Sequence, residues 1–275
     1  MMYNNKIEKI VVRVPNWIGD ALLCEPAIKT IKDNFPYASI TVLAKPWVAP
    51  LFFNNPSVDG CIEYESDSIH KGIFGKSRLA SRLRKKSYDL TVLFQNAFDA
   101  AFIAFMAGIP ERWGYSTDAR GWLLTKSVKV REDIKKCHQV FYYMNLLEEI
   151  GLNVDKHLKP RLYLSDEEVM WAKTFLEENG IVSDRIIGVN PGASYGKAKR
   201  WLPERFAEIA NRLTDEFNAQ AVIFGSKGDE DICKEVAVQM GTVPILRRSR
   251  AMSVNRDSPP IHTHPFCLPL YLPVF

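Results

Sequence analysis

Three short stretches of this 275-residue chain set a carboxylate, a hydroxyl or a cation beside glycine at a turn. The first is Pro15-Asn16-Trp17-Ile18-Gly19-Asp20, between a β-branched run and a helical pattern. That corner is where doubly wound folds place ligands, at the carboxyl end of a strand. Gly19 stands alone, so the stretch is not a dinucleotide fingerprint. The same spacing also suits Asp20 as a plain helix N-cap and Trp17 as a packing residue. The second stretch runs from Asn190 to Trp201 (NPGASYGKAKRW) and holds Gly192, Gly196, Ser194 and the cations Lys197, Lys199 and Arg200. Backbone amides in such a loop, with lysine beside them, suit a phosphate or pyrophosphate. The GKS or GKT ending of a Walker A loop is missing, and a surface loop with solvated lysines is the alternative. The third stretch is Phe224-Gly225-Ser226-Lys227-Gly228-Asp229-Glu230. Strand, glycine and acid at a helix start can set a carboxylate on a ribose hydroxyl pair, and a tight turn with a capped helix reads equally well.

The elements around these stretches alternate strand, loop and helix. Lys9–Val14 (KIVVRV) suits a buried parallel strand and leads through the first stretch into a helix over Ala21–Asn34. Ser39–Ala44 and Tyr88–Phe94 read as further strands, with a basic helix over Lys76–Lys86 between them. Phe98–Ala107 is an apolar helix stopped by Gly108 and Pro110, and its Phe and Met residues read as core. His138–Ile150 is amphipathic and ends at Gly151. Ser165 and Glu168 form a capping box for a helix reaching Asn179-Gly180. The rhythm restarts with strand Arg185–Asn190, helix Pro203–Phe217, strand Gln220–Phe224 and helix Glu230–Met240. This alternation implies parallel sheets covered on both faces, in an α/β chain whose second domain begins near residue 181.

Composition narrows the function classes. Hydrophobic residues make up 47% and charged residues 25%, the profile of a globular protein with a real core. The most apolar stretch, Ala100–Ile109, is about half the roughly 20 residues a membrane-spanning helix needs. The N-terminus runs almost directly into a strand, unlike a signal peptide. Cys24, Cys61, Cys137, Cys233 and Cys267 are scattered and odd in number, which argues for reduced thiols and against a disulfide framework or zinc site. The net charge of +4 points weakly to anionic partners, with no signature of nucleic-acid binding. The basic run from Lys71 to Lys86 could meet an anionic acceptor or membrane surface, or simply be a solvated helix face.

Read together, the motifs resemble glycosyltransferase family 9, the heptosyltransferases. The residues that carry the resemblance are Pro15–Asp20, Ala107-Gly108-Ile109-Pro110 with Gly114, Pro191-Gly192-Ala193, Ala198-Lys199-Arg200-Trp201 and Phe224-Gly225-Ser226. They occur in family order over about residues 7 to 245, and the Trp-Ile-Gly-Asp form favours the type II branch. The resemblance implies a GT-B fold, two Rossmann-like domains facing a cleft. It assigns 1–180 to an acceptor-binding domain, 181–245 to an incomplete ADP-heptose-binding domain and 246–275 to an irregular, non-native tail. It implies metal-independent, inverting transfer of L-glycero-D-manno-heptose from ADP-heptose to the first heptose of the lipopolysaccharide inner core. The implied cofactor is none, ADP-heptose being the donor substrate, and the partner is a lipid A-Kdo-heptose acceptor. The location implied is the cytoplasm, peripheral at the inner membrane face. By residue match Asp20 is the general base. Ser194 and Lys199 hold the donor phosphates beside Gly192, Gly225 and Ser226, and Asp229 or Glu230 faces the ribose. Asn16, Trp17 and Asn96 belong to the acceptor side. Asp20 and Lys199 fall on opposite domains, so closure would bring them together.

One departure stands out. The family carries an Asp-Ser-Gly-x-x-His type motif further along the donor domain, and nothing here matches it. From about Leu246 the chain instead carries Pro259, Pro260, Pro265, Pro269 and Pro273, with no helical period. A second domain would need ~60–100 more residues than 181–245 provides. A truncated or frame-shifted gene, and a catalytically dead remnant with a folded acceptor domain, are therefore the competing expectation. A nucleotide-binding oxidoreductase ranks behind both, because GxGxxG is absent.

Overall fold

A computed structural model describes residues 7–193, 197–241 and 270–271. The chain forms two compact units, Met1–Leu164 and Ser165–Phe275.

The first unit holds a six-stranded, wholly parallel sheet. Its strands are β1 (Lys9–Arg13), β2 (Ser39–Ala44), β3 (Gly60–Glu63), β4 (Leu90–Leu93), β5 (Glu111–Tyr115) and β6 (Lys126–Val128), in the order β3-β2-β1-β4-β5-β6. This is the doubly wound arrangement, whose order reverses between β1 and β4. Alternation along β1 sends Ile10 and Val12 to one face and Val11 to the other. The first face is covered by α2 (Glu25–Asn34) and α6 (Gln139–Ile150) through Ile28, Ile31, Val140 and Leu147. The second is covered by α3 (Gly72–Lys86) and α4 (Phe98–Met106) through Leu79, Leu83, Ala101 and Ile103. Each Ile, Leu or Val among them, fully buried, is worth about 1.5–3 kcal/mol relative to exposure.

The helix expected over 21–34 is two helices. A short α1 (Ile18–Leu23) ends at Cys24, and α2 restarts with Pro26 in its first turn. Proline has no amide to donate and is accommodated only where the helix needs none. The short helix α5 (Glu132–Lys135) precedes α6.

The second unit begins with α7 (Asp166–Glu178), which precedes the restart of the strand–helix rhythm near residue 181. The physical reason is packing: Phe175 and Leu176 of α7 lie against Ile181 and Val222 of the second unit. The capping box is formed, Ser165 Oγ accepting the Glu168 amide at 3.1 Å and Glu168 accepting the Ser165 amide at 2.8 Å. β7 (Ile186–Val189) pairs in parallel with β8 (Gln220–Phe224), joined by α8 (Pro203–Phe217), and α9 (Glu230–Gln239) follows. Within the segment expected to be irregular, β9 (Leu270–Tyr271) pairs antiparallel with β8. Both residues are non-proline and can join the ladder. Otherwise the segment 242–275 lies outside the described residues.

Candidate active site

Buried residues of β1 and β4 run into loops that meet where the strand order reverses. The amides of Phe94 and Gln95 both donate to the Arg13 carbonyl, at 3.0 and 3.1 Å, which ties the β4 loop to the end of β1. The Asn16 amide donates to Gln95 Oε1 at 3.1 Å, and the Trp47 indole donates to the Asn16 carbonyl at 2.9 Å. Arg13, buried, completes the frame by donating to Asn16 Oδ1 and the Val14 carbonyl, each at 2.5 Å. Burial lowers the Arg13 pKa to about 10, with Asp99 and Tyr64 opposing the shift. Arg120 does the same work on the other loop. It is fully buried and donates to the carbonyls of Tyr115 (2.9 Å), Gln95 and Ala97 (3.3 Å), and to Asn96 Oδ1 at 3.1 Å. Burial again brings its pKa down to about 10. Asn96 Nδ2 in turn donates to the Tyr142 hydroxyl at 2.8 Å. The structure thus brings Asn16 and Asn96 to one crevice, where their amide groups hold the two loops.

Asp20 sits in the first turn of α1, after Trp17 as N-cap, so it is not itself the cap. Trp17 is 51% exposed. The Asp20 carboxylate is half-buried, with no hydrogen bond or ion pair from its side chain among the described residues. Its charge reaches the Tyr143 hydroxyl, whose pKa burial has already raised, and adds to that rise. A carboxylate left without a cation or donor can accept a proton from a ligand at this corner.

Arg13, Gln95 and Arg120 are absent from the expectations. The one visible signal was an arginine inside an otherwise apolar strand, since a buried guanidinium must have acceptors to aim at.

In the second unit the loops after β7 and β8 meet over Asp229. Its Oδ2 accepts the Ser226 amide at 3.0 Å and the Ser226 hydroxyl at 2.5 Å, and Arg200 pairs with Oδ1 at 3.3 Å. A Cβ on Gly192 would fall 2.4 Å from Asp229 Cγ, and one on Gly225 would fall 2.5 Å from Cys233 Sγ. The glycines are therefore needed where the chain closes on this carboxylate. Asp229 is committed to Ser226 and Arg200, which leaves Glu230, paired to Lys234 at 2.7 Å, as the other acid of the stretch. Lys199 is exposed on a 3₁₀ turn, Lys197–Lys199, just ahead of α8. Ser194 lies outside the described residues.

Residues 76–246 match glycosyltransferase family 9 (heptosyltransferase). The chain belongs to this family. It is 30% identical over 244 residues to lipopolysaccharide heptosyltransferase 2 of Escherichia coli K12, covering 85% of this chain and 68% of that protein. The crystal structure of the Escherichia coli ADP-heptose lipopolysaccharide heptosyltransferase II superposes with a TM-score of 0.71 at 30% identity, over 84% of this chain and 68% of that one. A family 9 glycosyl transferase from Veillonella parvula shares the fold, with a TM-score of 0.76 at 24% identity over 84% and 67% of the two chains. The chain thus spans about two thirds of the length of these relatives. Among its described residues no helix is long and apolar enough to cross a membrane, and no three His, Cys, Asp or Glu side chains are grouped to hold a metal.

Proposed function

We propose that this heptosyltransferase moves L-glycero-D-manno-heptose from ADP-heptose to the first heptose of a lipid A-Kdo-heptose acceptor, with inversion and without a metal ion. The observation that carries the reading is the Asp20 carboxylate in the first turn of α1, the helix that follows β1 where the strand order reverses, with no hydrogen bond or ion pair among the described residues. The acceptor hydroxyl oxygen attacks the anomeric carbon, the bond from that carbon to the ADP phosphate oxygen breaks, and the hydroxyl proton passes to Asp20. Lys199, the Ser194 hydroxyl and the amides of the Gly192 loop and of the α8 N-terminus stabilise the departing diphosphate. Gly225 and Ser226 shape the adjoining loop, Asp229 positions it, and Glu230 takes the ribose. Trp17 offers an exposed ring to the acceptor, while Asn16 and Asn96 hold the loops beneath it. The reaction belongs to the cytoplasm, at the face of the inner membrane that carries the lipid acceptor.

Incubating the chain with ADP-heptose and a mono-heptosylated Kdo-lipid A, followed by mass spectrometry, tests this. The expected result is a gain of one heptose, unchanged by a chelator. Intact donor and acceptor after long incubation would overturn the assignment, and activity lost to chelation and restored by magnesium would overturn its metal-free part.

A further inference from the structure

The outer surface of the helical layer formed by α3 and α4 is apolar at one part and cationic at another. Helix α4 shows Phe98 and Phe105 to solvent, and Trp122 packs beside both, ring centroids 6.4 Å away in each case. Trp122 is 72% exposed and Phe105 50%. At the start of α3, Ile73 is exposed and Phe74 is 89% exposed. Large aromatic side chains left in water at this density mark a contact surface rather than core spilled outward.

Helix α3 runs beside α4, joined by the Lys76–Asp99 ion pair at 3.6 Å and by Arg84 donating to the carbonyls of Met106 and Ala107. Its fifteen residues include Lys76, Arg78, Arg82, Arg84, Lys85 and Lys86 and no acid. Arg78, Arg82, Lys85 and Lys86 are exposed and have no ion-pair partner among the described residues. The helix holds together without internal charge compensation, aided by cations near its negative C-terminal end.

We propose that this layer docks the protein on a bilayer bearing anionic headgroups. Tryptophan and phenylalanine enter the interface between headgroups and chains, while arginine and lysine beside them meet the phosphates. A protein groove would need a matching acidic partner and a shaped apolar pocket, whereas exposed aromatic rings on α4 and α3 with a row of cations that have no ion-pair partner among the described residues suit a fluid anionic surface. The inference gives a face to the membrane location in the preceding reading. It is tested without substrate, so that failed heptosyl transfer and failed docking remain separate results.

The test is co-sedimentation of the full chain with phosphatidylcholine vesicles, with and without phosphatidylglycerol. Binding should require phosphatidylglycerol and weaken as salt rises. Arg78→Glu/Arg82→Glu/Lys85→Glu should lower partitioning by at least about 100-fold, each lost cation accounting for roughly five-fold before the repulsion of the added carboxylates. Phe74→Ser/Phe105→Ser/Trp122→Ser should weaken binding while leaving its salt dependence, and Trp122→Phe should remove part of the fluorescence quenching by brominated lipid. Circular dichroism melts confirm that each variant folds. Equal binding to both vesicle types, or unchanged binding by the charge-reversed variant, would overturn the proposal. So would sedimentation velocity showing a lipid-free dimer that the serine variant dissociates, because a second copy would then occupy the face.

Discussion

At the scale of single residues, the site holds groups committed to other parts of the chain and groups exposed to solvent. Asp229 is engaged: Ser226 and Arg200 take both of its oxygens. A carboxylate at a helix start has the same sequence signature whether it caps, clamps or meets a ribose, so this role was not legible before the loops were placed. Gly192 and Gly225 were legible as turn glycines, and the structure adds what they make room for. Lys199 is the exposed cation ahead of α8, and Lys199→Ala should weaken ADP binding by about 1.5–3 kcal/mol, the worth of a charged hydrogen bond. Calorimetry giving an unchanged ADP affinity would return Lys199 to the solvated surface. Gly192→Ala should cost about 1–3 kcal/mol in urea unfolding, because the new methyl overlaps a carboxylate pinned from two sides. An unaltered unfolding midpoint would show that the Asp229 clamp yields easily.

At the scale of elements, the strongly patterned segments were legible and the short mixed ones were not. β1, β2, α4, α6, α8 and β8 appear within a few residues of where apolar periodicity placed them. β3, β5 and β6 were missed. β5 is Glu-Arg-Trp-Gly-Tyr and β6 is Lys-Ser-Val, and their polar residues and glycine hide strands that only pairing reveals. The segment entering α3 carries its own pH dependence. The buried His70 accepts the Glu65 amide on Nδ1 at 3.0 Å, which requires a ring nitrogen without a proton. Burial lowers its pKa, Arg78 and Arg82 push the same way, Glu65 opposes, and the Tyr64 ring lies 5.9 Å away. The unfolded chain therefore binds this proton first. The contribution is intact above about pH 6.5 and is lost as pH falls from there toward the lower folded value. Melting temperatures across that window should fall more steeply for the native chain than for His70→Gln, and parallel curves would contradict the assignment.

At the scale of the whole molecule, two α/β units were legible from the repeated strand–helix rhythm, while the unit that α7 joins was not. α7 follows the first unit in sequence but packs on Ile181 and Val222, a tertiary preference that no local pattern announces. The first unit covers both faces of its own sheet, so residues 1–164 expressed alone should melt cooperatively with native circular dichroism. A broad, non-cooperative melt would show that it depends on the second unit. The central proposal, that Asp20 in the first turn of α1, without a hydrogen bond or ion pair among the described residues, serves as the base, has a direct test. It is the turnover of Asp20→Asn against the native chain, with heptosylated product counted by mass spectrometry and ADP affinity measured in parallel. The predicted result is a loss of roughly 10²–10⁴-fold in turnover with ADP affinity unchanged. Turnover near that of the native chain would contradict it.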